Sequence, residues 1–291
     1  MHDGKFCYEH DIVCFLCTVG QVVHTLPDGE KITGLTSLAD EIYVLRRKDS
    51  DQVEVYDVNT YRLQRRLTVP VCSIFADMAS CEHYRCLYIG DPRNYCIHRL
   101  DVGLGLPAQG AATQWPVNDE PCSISVNAAH NVLVLCEAVG EYKIKEFSSH
   151  GDIVRELTLP DNIVNPWQAI QLTNGQFVVC HADAQDDDVH VSKVSPDFSR
   201  IPHSYRIQQI SNRGRCQGLS HLAVDNNESV FVSEFNDRHV KLLSPTLRYI
   251  RQVVSCDQLR GPDKLYLDTH RRRLYVADIK ITKGRVVVIS V

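Results

Sequence analysis

The stretch His221-Leu-Ala-Val-Asp225-Asn-Asn-Glu-Ser-Val230-Phe-Val-Ser233 alternates apolar with small or polar residues, breaks at Asn226–Glu228, and alternates again. Alternation of period two interrupted by an Asn-rich cluster reads as strand, tight turn, strand. Its second half belongs to a phrase that occurs six times: Ile42-Tyr43-Val44, Leu87-Tyr88-Ile89, Val132-Leu133-Val134, Phe177-Val178-Val179, Val230-Phe231-Val232 and Leu274-Tyr275-Val276. The intervals between first residues are 45, 45, 45, 53 and 44. A repeat of this length built on short strands is the mark of a β-propeller or a related array. Outward from the quoted stretch, Val240-Lys-Leu-Leu243 and Tyr249-Ile-Arg-Gln-Val253 supply two further strands, so one repeat makes a four-stranded unit.

The pattern predicts an all-β fold, a six-bladed β-propeller with four-stranded antiparallel blades. No segment has sustained helical periodicity, which disfavours a helix-containing solenoid. Residues 1–291 read as one domain, with blades at 32–69, 72–117, 121–160, 166–208, 219–254 and 262–291. The last repeat has only three strands before Val291, while residues 20–26 (Gly20-Gln-Val-Val-His-Thr-Leu26) form a spare one. An unpaired terminal strand exposes a row of backbone donors and acceptors. The N-terminal strand is therefore expected to pair with the last blade and close the ring.

Composition excludes little but points consistently. The chain is 44% hydrophobic and 23% charged, with 31 basic against 36 acidic residues and a net charge of −5. That balance supplies no general attraction to nucleic acid or to an anionic membrane. The apolar runs have strand length and fall short of a bilayer span. No basic start followed by an apolar run opens the chain, so a cytoplasmic protein that acts away from membranes, as a monomer, is expected. The twelve cysteines are expected to be reduced, mostly buried thiols acting as small hydrophobes. Cys14 and Cys17 have metal-like spacing but lack a second pair at ligand distance and read as structural.

Two stretches resemble the NHL repeat family: His221–Asp225 followed by Val230–Val240, and Leu265–Asp268 followed by Leu274–Asp278. Leu87–Asn94 is a third, weaker match. The remaining repeats keep spacing and apolar pattern without the polar signature. The chain thus resembles the NHL domain of TRIM-NHL proteins, without the RING and B-box modules that such proteins often carry, so ligase activity is not expected of it. The acidic and amide residues of the turns (Asp91, Glu234, Asn236, Asp278) have a local role available, accepting backbone hydrogen bonds.

The resemblance implies that the face carrying the second-to-third-strand loops and the inter-blade links binds partners. On that face the sequence places Arg46, Arg47, Lys48, Arg93, Tyr95, Tyr142, Trp167, His181, Arg213, Arg215, Arg238 and Arg260. Arg, Tyr and Trp dominate interface hot spots. A non-catalytic scaffold for a protein partner is the expectation, with single-stranded RNA on the same face as the alternative. A metal-dependent hydrolase or lactonase is the third reading. It would need a ligand cage from the inner strands, where only His221 and Asp263 look suitable, and no nucleophile motif occurs. No cofactor is expected. The fourth loop offers Asp183, Asp186, Asp187, Asp188 and His190 to a hard cation, but lacks calcium-loop spacing and its central glycine.

Overall fold

The computed structural model describes residues 20–46, 52–69, 76–102, 112–183, 189–207 and 221–291. Among these there are strands and turns and no helix. β1 (Gln21–Thr25) and β2 (Gly29–Glu30) precede the first blade, formed by β3 (Ile32–Leu38), β4 (Glu41–Arg46), β5 (Gln52–Asp57) and β6 (Leu63–Thr68). The second contains β7 (Asp77–Cys81), β8 (Cys86–Asp91), β9 (Cys96–Asp101) and β10 (Ala112–Pro116). The third contains β11 (Glu120–Val126), β12 (Val132–Ala138), β13 (Glu141–Phe147) and β14 (Ile153–Thr158). β15 (Ile163–Gln171), β16 (Phe177–Asp183), β17 (Val189–Val194) and β18 (His203–Ile207) make the fourth. β19 (Leu222–Val224), β20 (Val230–Glu234), β21 (His239–Leu243) and β22 (Tyr249–Val254) make the fifth. The sixth has β23 (Pro262–Asp268), β24 (Arg273–Lys280), β25 (Lys283–Ser290) and, on its outer edge, β1. Each blade is an antiparallel meander, and the ring is closed by the N-terminal strand.

The recurring phrase is the second strand of every blade. It lies between the first and third strands, covered on both faces by neighbouring blades, so its residues are buried without interruption, as in Cys86–Asp91 and Val230–Glu234. That double coverage explains why this strand reads as an apolar run while outer strands such as Leu63–Thr68 are largely exposed. The apolar clusters lie between blades. One joins Tyr43, Val53 and Val55 of the first to Met78, Leu87 and Ile89 of the second. Another joins Cys86, Tyr88 and Ile97 to Val132, Val134 and Phe147. Cys81, Cys86, Cys96 and Cys136 are buried free thiols, as expected of small hydrophobes.

The second strand ends in a polar residue that pairs with the third strand. Arg46 meets Glu54 at 2.5 Å, and His181 Nε2 meets Ser192 Oγ at 2.9 Å. Glu234 meets Lys241 at 2.8 Å, and Asp278 meets Arg285 at 2.7 Å. The Asp at this place in the repeat is a structural acceptor. Asp278 Oδ1 takes the backbone N–H groups of Arg260 and Gly261 at 2.6 and 2.8 Å, and so pins the link entering β23. Glycine is required in that link, because a Cβ at 261 would stand 2.8 Å from the Ile279 carbonyl oxygen and 2.8 Å from the Phe235 ring.

Candidate binding site at the mouth of the central channel

The six inner strands, β3, β7, β11, β15, β19 and β23, contact one another in sequence around the axis. Where they begin, a cavity of about 470 Å³ opens over the channel, with residues of all six blades in its wall. Below it a second cavity of about 280 Å³ follows the channel, and His221 borders both.

Four inner strands carry a register break at their first residues: Ile32/Gly34, Pro121/Ser123, Val164/Gln168 and Pro262/Lys264. A bulge inserts an unpaired residue and re-aims its side chain. The residues inside these breaks include Thr33, Cys122, Trp167 and Asp263, and all four line the cavity. Asn165, in the longest break, holds φ at 45° and accepts a 2.7 Å bond from the Tyr142 hydroxyl, which ties the third blade to the fourth at the rim. The β8–β9 turn contributes Pro92, and the paired ends of β12 and β13 contribute Glu137 and Tyr142.

The floor is ionic. Lys264 Nζ lies 3.0 Å from Asp77 Oδ1, and Asp77 Oδ2 accepts the Ile124 N–H at 3.0 Å. Burial opposes ionisation of Asp77, but Lys264 and these bonds hold its carboxyl below the usual aspartate range. Asp263 is different. It is only 5% exposed, and burial pushes its carboxyl above the usual range against the pull of Lys264 and Lys31. His221 is driven down to about 3, first by burial and then by the Lys264 charge, so the ring is neutral. Its Nδ1 accepts the Leu265 N–H at 3.3 Å, which leaves the proton on Nε2. Nε2 is buried without a hydrogen-bond partner, a donor at the cavity floor. Ser233 sets the spacing of these groups: its hydroxyl accepts the His221 N–H at 2.7 Å and donates to the Asp263 carbonyl oxygen at 3.2 Å. The Cys122 thiol is pushed up to about 12 by burial and by Glu137 and Glu120, which keeps it protonated.

A carboxyl raised in the folded state favours folding while protonated. Its contribution falls as pH rises from the unfolded value of about 3.9 through the folded one. Asp263→Asn is therefore expected to raise the melting temperature at neutral pH, with the gain vanishing below about pH 4. Thermal melts of both proteins across that interval check this. An Asn variant less stable than the parent at pH 7 would contradict it.

Of the residues predicted for this face, Tyr142 and Trp167 line the cavity. Arg93, Tyr95 and Arg238 are exposed on the β8–β9 and β20–β21 turns. Arg46, His181 and Arg260 correct the expectation. Arg46 is 6% exposed and bonds Glu54 and three backbone carbonyls. His181 is 1% exposed, bonded through Nδ1 to the Ala182 carbonyl at 2.6 Å and through Nε2 to Ser192. Arg260 pairs with Asp28 and Asp278 at 2.7 and 3.1 Å. Arg46 and His181 lie within the buried second strands β4 and β16, Arg260 lies in the link entering β23, and each spends its polar group on partners inside the protein. Arg47, Lys48, Arg213 and Arg215 lie outside the described residues, as do Asp186, Asp187, Asp188 and the side chain of Asp183. His190 sits within β17, its Nδ1 3.3 Å from Ser204 Oγ. Asp77, Lys264, Glu120 and Cys122 were not foreseen. Strand alternation alone assigns no residue to a bulge, although Pro121, Pro166 and Pro262, each a poor ladder donor, mark three of the breaks.

No protein-family model matches the chain, and no curated protein matches it. Solved structures do. The β-propeller domain of Cps50 (Swd1) from Myceliophthora thermophila aligns over 94% of this chain and 99% of its own, with a TM-score of 0.60 and 13% identity. Hydrazine synthase from Kuenenia stuttgartiensis aligns over 92% and 98%, with a TM-score of 0.62 and 11% identity. Streptogramin B lyase aligns over 91% and 98%, with a TM-score of 0.59 and 10% identity. At these identities the likeness is one of fold: the chain is a six-bladed β-propeller.

Proposed function

We propose that this propeller is a non-catalytic recognition module that binds a protein partner through its loop-rich face, with a cationic partner side chain seated in the axial cavity. The carrying observation is Asp263, a buried carboxylate bulged into the mouth at a cost to stability. Destabilising polar groups of this kind are retained where a site needs them. Charge at the mouth agrees. Of the cavity's lysines, Lys264 is taken by Asp77, leaving Lys31 against Glu120, Glu137 and Asp263. Trp167 and Tyr142 supply faces on which a guanidinium or ammonium gains cation–π attraction. RNA, whose affinity rests on phosphate neutralisation, is disfavoured by the same charges. The protonated Cys122 and neutral His221 favour binding over nucleophilic chemistry, and the lyase among the similar folds brings no activity to this chain.

Peptide-library selection on the immobilised protein tests the reading. Arg or Lys should be enriched at one position, and Trp167→Ala combined with Glu137→Lys should weaken the selected peptides by about 30-fold or more, as for a hot spot. Trp167 and Trp115 are the only tryptophans, so a Trp115→Phe background makes Trp167 fluorescence the titration signal. Enrichment of acidic peptides, or RNA binding that falls steeply with salt, would overturn it.

A further inference from the structure

The β8–β9 hairpin gathers three metal-ligand side chains. Asp91 and Cys96 are register partners across the turn, and His98 lies two residues further along β9. Cys96 Sγ is 3.4 Å from His98 Nε2, and Asp91 Oδ2 is 3.5 Å from the same nitrogen. The three ligand atoms lie within 4.8 Å of one another, and Asp91, Cys96 and His98 are only 0%, 7% and 3% exposed. We propose that Asp91, Cys96 and His98 form a zinc site that braces the β8–β9 turn on the recognition face.

Geometry carries this. Zinc bonds of about 2.0–2.3 Å in a tetrahedron set ligand-to-ligand edges of roughly 3.3–3.7 Å. Two edges already have that length, and the thiol and carboxylate need only a small approach to complete the third. The topology of the contacts argues against a catalytic relay. In a relay the carboxylate takes the imidazole nitrogen remote from the nucleophile. Here thiol and carboxylate converge on one nitrogen, which is how ligands surround a shared cation. The mixed S, N and O donor set suits zinc. Asn94 supports the carboxylate, its side-chain amide donating to Oδ2 at 2.7 Å and its backbone N–H to Oδ1 at 3.3 Å. Such outer contacts orient ligands in metal sites.

At the same place, the first, fifth and sixth blades close the hairpin with ion pairs, Arg46–Glu54, Glu234–Lys241 and Asp278–Arg285. Only in the second blade does that place hold a thiol beside an imidazole, among the described residues. Burial keeps the Cys96 thiol protonated up to about 11 without a metal. Binding Zn²⁺ forms the Zn–S bond and releases that proton to solvent. Three protein ligands leave a fourth position for water or for a partner's side chain. Pro92 of the same turn lines the axial cavity, so the metal would order a part of the rim that also carries Arg93 and Tyr95.

The test uses the full chain in a Cys14→Ser/Cys17→Ser background, which removes the other metal-like cysteine spacing. Metal analysis after dialysis should find about one zinc per chain. Cobalt substitution should give a thiolate-to-cobalt absorption in the near ultraviolet, and Cys96→Ser and His98→Gln should lose both signals. Asn94→Ala, a change at an exposed side chain that leaves the fold intact, should weaken zinc affinity by about 10- to 100-fold. Absence of bound metal and of the cobalt band in the parent overturns the proposal. So does persistence of the band in Cys96→Ser, or unchanged affinity in Asn94→Ala.

Discussion

A chain beginning at Pro27 should lose cooperative unfolding, whereas one beginning at Gly20 should keep it. The segment between them contributes β1, whose register with β25 pairs Gln21 with Ser290, Val22 with Ile289, His24 with Val288 and Thr25 with Val287. It also carries the Gly20 N–H bond to the Val253 carbonyl at 2.9 Å and the Leu26 N–H bond to Val286 at 2.8 Å. Leu26 is 1% exposed and packs with Ile32, Leu35, Tyr275 and Val288 at the seam between the last and first blades. Loss of one buried Leu side chain alone costs about 2–5 kcal/mol. Adding a ladder of backbone bonds takes the total into the whole stability of an ordinary domain, about 5–15 kcal/mol. Without β1, the apolar strand Val286–Ile289 also becomes a bare edge that pairs with other chains. Urea melts followed by circular dichroism, with light scattering for association, check this. A Pro27 chain that stays monomeric and unfolds at the Gly20 chain's midpoint would refute the seam model.

Replacing Arg46 with Met should destabilise the protein by about 3–5 kcal/mol, the range for breaking a buried ion pair. The guanidinium is a clamp across the same seam. Nε meets Glu54 Oε2 at 2.5 Å, Nη1 reaches the carbonyls of Glu30 and Gly284 at 3.0 and 2.8 Å, and Nη2 reaches Pro27 at 3.2 Å. One planar fork thus joins the first blade to the N-terminal segment and to β25. Met fills similar volume but takes the guanidinium away from three carbonyls and leaves Glu54 with only Tyr56 and Arg66 as partners. Glu54 is buried, and Arg46, Tyr56 and Arg66 hold its carboxyl below the usual range in spite of that burial. A depressed carboxyl stabilises above the unfolded value and loses that contribution as pH falls through the folded one. The Met variant should therefore also show a shallower loss of stability on acidification below pH 5 or so. Lys at 46 keeps the charge but not the fork, and should recover only part of the loss. Denaturant midpoints at pH 7 and pH 4 decide it: equal midpoints for Arg and Met at pH 7 would return Arg46 to the surface role its sequence context suggests.

Arg46 also illustrates where sequence reading stops. It begins the triplet Arg46-Arg47-Lys48 directly after an apolar strand, a context that reads as a solvated loop. It sits instead at a ring seam whose three carbonyls come from residues 27, 30 and 284, all of them outside its own repeat. Arg260 is similar: its partners Asp28 and Asp278 become neighbours only when the chain closes on itself. Trp167 and Tyr142 were legible because aromatic residues beside strand ends in this pattern fall on the loop-rich face. Asp263 and His221 could be named from the inner-strand starts, but not their states. Burial and the placement of Lys264 decide that one is a strained carboxyl and the other a neutral donor. Asp77 was hidden, since its importance comes from a lysine 187 residues away.

What the chain alone determined is the ring: six second strands at a steady interval, the alternation around them, and the spare N-terminal strand that completes the sixth blade. Those features are local, because strand periodicity and turn chemistry act over a few residues and repeat spacing merely counts them. What tertiary structure decided is which polar side chains face the axis, which lock the seam, and which meet across the β8–β9 hairpin. Register breaks at the inner-strand starts and the closure of the ring set those outcomes, and both depend on contacts between residues that lie far apart in sequence.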